Sequence, residues 1–82
     1  MSDYNGWTNR ATWVVNLWVG NDEAAYLLLE SQKPFNESTA KSFVMFLLPL
    51  NVYLGIVRDL ADPNTDMDKV NWAELAEVWN ED

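Results

Sequence analysis

Apolar residues in this chain recur at helical spacing, and that period limits the fold more than any other feature. The clearest instance is Asn71 to Trp79, where Trp72, Leu75, Ala76 and Trp79 stand at i, i+3, i+4 and i+7, one stripe of an α-helix. Asn71 with Glu74 three residues on is a capping-box-like start, the Asn side chain taking an orphan backbone N–H of the first turn. Glu74, Glu77 and Glu81 lie away from the tryptophans. The same period runs through the rest of the chain. Asn5-Gly6 is turn chemistry, and Thr8 is the predicted N-cap of a helix through about Val19, with Trp13, Val14, Leu17 and Trp18 as its stripe. Asn21 or Asp22 caps a second helix, Ala24 to Ser31, apolar nearly all round and therefore expected at the centre. Asn36 or Ser38 starts a third, with Phe43, Phe46, Leu47 and Leu50 at helical spacing and Pro49 as its stop. Asn51 caps a fourth, where Val52, Tyr53, Ile56, Val57 and Leu60 face inward and Gly55 permits a close approach. Asp62 to Asp68 reads as a loop. No segment alternates convincingly as a strand. The expected fold is all-α: a compact single helical domain over residues 1–82, a bundle of about five short helices.

A chain of 82 residues buries only about 60–65% of its unfolded surface, so a stable core needs large side chains. Five Trp, three Phe and three Tyr supply them. So many rings are more than a small interior hides with ease, and some aromatic surface is expected to be left over. There is no cysteine, which excludes a disulfide framework, a thiolate nucleophile and a zinc–thiolate site. Histidine is absent too, removing the usual general base and the commonest transition-metal ligand. No catalytic residue and no cofactor is predicted. The first residues show neither a basic nor an apolar leader pattern, and the run Phe43 to Leu50, broken by Pro49, is far short of a spanning helix. The expectation is a cytoplasmic protein with no membrane contact.

Charge is unevenly placed along a net of −8. Residues 1–58 carry four basic and five acidic groups, whereas residues 59–82 carry Lys69 against eight acids. Such a surface repels phosphate backbones and attracts basic protein surfaces, so direct nucleic-acid binding is not expected. Asp62, Asp66, Asp68, Glu74, Glu77 and Glu81 are the candidate acidic contacts to a partner. Phe43, Met45, Phe46 and Trp79 are the candidate apolar contacts, from the over-wide third helix and the end of the last. Asp62, Asn64, Asp66 and Asp68 match positions 1, 3, 5 and 7 of a calcium loop. Position 6 is Met67 where that loop needs Gly, and position 12 is Ala73, so no metal site is assigned. Arg10 and Arg58 are read as ion-pairing or ring-stacking residues.

The opening Tyr4-Asn5-Gly6-Trp7-Thr8-Asn9-Arg10-Ala11-Thr12-Trp13, followed by Asn16-Leu17-Trp18 and Asn21-Asp22-Glu23, resembles that of a group of small acidic proteins carried by bacteriophages and mobile elements. Val70-Asn71-Trp72 with Glu74-Leu75-Ala76-Glu77 is similar to the close of the same group. Members often carry Glu where this chain has Ala11, which would complete a capping box with Thr8, so the resemblance implies a structural role for the motif. It also implies a context: a non-enzymatic phage inhibitor of host machinery, of the anti-CRISPR or anti-restriction kind. Its acidic surface would occupy the basic groove of a nucleic-acid-handling host protein. The alternatives are an adaptor or homodimer docking through an apolar helix face, and a small calcium-responsive module.

Overall fold

The computed structural model describes residues 6–60 and 62–81, with Pro63 described through its backbone alone. Tyr4 and Asn5 of the opening motif lie outside the described residues. Among the described residues six α-helices follow one another: α1 (Arg10–Asn21), α2 (Glu23–Gln32), α3 (Glu37–Ser42), α4 (Leu50–Asp59), α5 (Pro63–Lys69) and α6 (Trp72–Asn80). A π-helical turn, Phe43–Leu47, extends α3. No strand occurs among the described residues, and the fold is all-α.

Polar caps set most of the boundaries. Asn9, not Thr8, caps α1 by accepting from the Thr12 N–H, and Asp22 caps α2 by accepting from the Ala25 N–H. Asn36 and Thr39 form a reciprocal capping box at the start of α3. At α6, Asn71 accepts from the Glu74 N–H at 3.0 Å. The predicted box is open there, because the Glu74 carboxylate turns to another segment. The segment expected as a loop is α5, which begins with Pro63 at a position where the missing N–H costs nothing.

Helix α1 is the hub, touching α2, α4, α5 and α6, while α6 packs along α3. Val14, Val15 and Val19 from α1 meet Val52 and Ile56 from α4 and Leu75 from α6 in one buried cluster. Phe35, Phe43 and Trp79 close one side of it as a triangle of edge-to-face rings, with centroids 5.3–5.8 Å apart. Trp72 is also buried, and Trp7, Trp13 and Trp18 pack against the cluster. The tryptophans are thus packed in or against the core, and the aromatic surface expected to be left over comes from Phe46 and Tyr26 instead. Helix α2 departs from expectation as well: it buries Ala25 and Leu29 and leaves Tyr26 and Leu27 exposed, so it is peripheral.

Gly55 has one job. A Cβ there would stand 2.6 Å from the Trp18 ring, so its absence lets the indole lie flat against α4. The indole N–H then donates to Asp59 Oδ2 at 2.7 Å, and Arg10 donates to the Asp59 carbonyl at 2.7 Å. No single helix among the described residues is long and apolar enough to cross a membrane.

Candidate functional site

Two regions hold the residues singled out from the sequence. The first is a seam where the starts of α1 and α6 meet. Thr12 Oγ1 donates to Asn9 Oδ1 at 2.8 Å and accepts from the Asn71 N–H at 2.9 Å. Asn9 donates to the Lys69 carbonyl, and Asn71 donates to Thr8 Oγ1. The Thr8 N–H donates to Glu74 Oε1 at 3.1 Å. The opening motif is therefore bonded directly to the closing one, and each member satisfies the orphan groups of a helix terminus. A second clasp lies at the far end of α6. The Asn80 amide accepts from the Phe35 N–H and donates to its carbonyl, both at 2.7 Å, and the Trp79 indole N–H donates to Asn16.

The second region is an elbow. Beyond Ser42 the hydrogen bonding slips from i+4 to i+5, with the Leu48 N–H reaching the Phe43 carbonyl at 3.1 Å. A π turn takes more residues per revolution, so Phe46 swings away from the face that Phe43 occupies. Leu48 and Pro49 are extended, as a residue before proline and proline itself prefer, and α4 departs at 107° from the preceding helix. Phe43 is wholly buried and is not placed to be a partner contact, which corrects the expectation for it; Trp79 is nearly buried, and its remaining surface faces a cleft beside α6. Phe46 is 81% exposed and Leu50 70%, with Leu47, Leu54 and Met45 exposed beside them in sequence. In sequence, Leu50 continues the helical spacing of the third helix. It instead begins a line with Leu54 and Arg58 along α4, at i, i+4 and i+8.

The six predicted acids divide by what they bond. Asp66 accepts from the Asp62 N–H and stands 3.8 Å from Lys69, and Glu74 belongs to the seam. Asp62 accepts from the Thr65 hydroxyl. Asp68, Glu77 and Glu81 are exposed, with no ion pair or side-chain hydrogen bond among the described residues. Arg10 meets a carbonyl oxygen rather than a carboxylate. Lys41 and Arg58 are exposed and pair with no acid among the described residues. Asp62, Asn64, Asp66 and Asp68 lie at the start of and along α5, where alternate residues point around the helix instead of into one loop centre. That placement differs from the open loop in which the calcium-loop positions were matched. Among the described residues no three acidic side chains are placed to hold a metal ion.

Two clefts flank α6. One, of about 350 Å³, is polar and lined by Thr8, Asn71, Ala73, Glu74, Glu77 and Val78. The other, of about 170 Å³, lies between α1, α2 and α6, with Val19, Gly20, Tyr26, Leu29, Val78 and Trp79 in its walls. Val78 is common to both. Sequence reasoning missed this second cleft and the Leu47–Leu50–Leu54 part of the elbow. A visible signal for the elbow was the stretch 38–58, which contains Lys41 and Arg58 and no acid.

The chain belongs to a family of unknown function (DUF7249), whose model matches residues 1–82. No curated protein and no solved structure matches it.

Proposed function

We propose that this family member is a non-enzymatic binding protein that docks on another protein through the elbow Met45–Leu54. The exposure of Phe46 carries the reading. Scattered surface leucines are ordinary, but a run of large apolar side chains left in water beside a complete core costs solubility and is characteristic of an interface. Phe43 and Val44 already fill the interior at this point, so Phe46 has no packing duty. Aromatic side chains of this kind serve as anchors in partner pockets. The test places a photo-crosslinking phenylalanine analogue at position 46, with a control at the exposed Asn64. Adducts from position 46 alone are expected; equal yields from both positions, or none from 46, would end the proposal.

The acids favour a second reading, that of a phage-borne inhibitor acting in the host cytoplasm on a basic, nucleic-acid-handling protein. It is supported by Asp68, Glu77 and Glu81, exposed and without cationic partners among the described residues. Replacing Asp62, Asp68, Glu77 and Glu81 with Asn or Gln leaves the seam untouched. Under this reading, capture of the partner falls steeply in that variant and as salt rises. Under the elbow reading, capture depends on Phe46 and is nearly indifferent to salt.

A further inference from the structure

Resting on the elbow as a docking surface, we infer that Phe46 of one copy seats in the α1–α2–α6 cleft of a second copy, so that the protein associates head to tail. The cleft has the right capacity. Its volume is about 170 Å³, and an apolar protein cavity of roughly 150 Å³ accommodates a benzene molecule. Its walls suit a phenyl ring: Val19, Leu29, Tyr26 and Val78 are apolar or aromatic, and the Trp79 indole N–H is already engaged by Asn16. Glu30 and Lys33 at its edge are paired with each other at 2.8 Å.

Charge selects the occupant. The elbow itself carries cations alone: Lys41 lies one turn before Met45, Arg58 one turn beyond Leu54, and the nearest acids in sequence, Glu37 and Asp59, lie just outside residues 38–58. The cleft's flank is anionic, because Val78 joins it to the neighbouring cleft that carries Glu74 and Glu77. Opposite signs therefore meet when elbow enters cleft. An elbow-to-elbow pair would instead bring Lys41 and Arg58 of both copies onto one interface. The two surfaces share no residue, so the contact is heterologous, with a free elbow left at one end and a free cleft at the other.

Sedimentation of the purified chain, with two kinds of variant, tests this. Phe46→Ala removes the knob. Gly20→Leu fills the cleft, and Gly20 has open space where a Cβ would stand. Val78→Arg, at an exposed position on the rim, blocks it by charge should the leucine disturb folding. Wild type is expected to associate, and each variant alone to weaken association by on the order of thirtyfold. An equimolar mixture of Phe46→Ala with a cleft variant restores a 1:1 pair and nothing larger, since one supplies the cleft and the other the knob. In the pair, the Trp79 indole N–H resonance moves. A wild-type monomer at every soluble concentration overturns the inference. So does loss of association in Phe46→Ala but in neither cleft variant, which is the elbow-to-elbow result, and so does a mixture that stays monomeric. If the chain alone is monomeric while position 46 crosslinks a different protein, the inference falls and the elbow reading stands. If position 46 crosslinks nothing, both fall.

Discussion

Thr12 is a polar residue with no exposure at all, and Phe46 is an apolar residue that is 81% exposed. Each departs from the ordinary rule, and the reasons differ. Thr12 is buried because the seam gives its hydroxyl both a donor and an acceptor to meet, so little hydration is lost without replacement. Phe46 is exposed because a change in helical hydrogen bonding turns it off a face whose space Phe43 already takes. Polar residues that look like a functional motif spend their bonds on holding two helix starts together. Apolar residues that look like core are the ones left in water. In this fold, motif-like patterning marks architecture, and an interrupted apolar period marks exposed surface.

Substitutions can break or sharpen that contrast. Phe43→Ala is expected to have the largest effect, a loss of about 3–5 kcal/mol in chemical denaturation, because it empties the centre of the Phe35–Trp79 ring triangle. Out of a total stability of about 5–15 kcal/mol, that is enough to leave the chain near unfolding. A small loss would mean the two phenylalanines are less different than their burial says. Next is Thr12→Val, which keeps the shape but strands the Asn71 N–H and removes one of the two bonds Asn9 Oδ1 accepts; about 1–3 kcal/mol should be lost by the same measurement. A neutral result would show that water replaces the hydroxyl and that the seam is not a structural device.

Gly55→Ala should cost less, about 0–2 kcal/mol net. Crowding the Trp18 ring is unfavourable by about 1–3 kcal/mol, and better helix propensity returns up to about 1 kcal/mol. The Trp18 indole N–H resonance should move as its bond to Asp59 is disturbed. Phe46→Ala is at the far end of the series: within about 0.5 kcal/mol of wild type, with unchanged helicity. A loss comparable to that of Phe43→Ala would place Phe46 in the core and remove the elbow as a surface.

Much of the helical architecture could be read from caps and period. Asp22, Asn36 and Asn71 each cap the helix they were expected to cap, and Gly55 permits the close approach read from it. The misses have specific physical causes. Asp62-Pro63-Asn64 carries both turn residues and a proper helix start, and the turn reading overlooked that proline suits the first helical position. The apolar circumference of α2 suggested a central helix, yet composition does not say which side neighbours will cover. At the elbow the apolar spacing is perfect for an α-helix, and a slip of one hydrogen-bond register leaves no mark in the sequence. The acidic surface was legible only in part. Which carboxylates are free depends on bonds such as Thr8 to Glu74, made between residues far apart in the chain.

The π turn gives this surface an unusual genetic dependence. Each residue of an α-helix advances the chain by about 100° around its axis. A single-codon deletion between Phe43 and Leu47 would restore four-residue steps with the Leu48 N–H still meeting the Phe43 carbonyl, so the chain downstream would keep its place while residues inside the turn shift by about that angle. Met45, Phe46 and Leu47 would be re-dealt between inside and outside without any change in their chemistry. The identity of the outward side chains is thus fixed by counting, and losing one residue would rewrite the elbow more thoroughly than most substitutions within it.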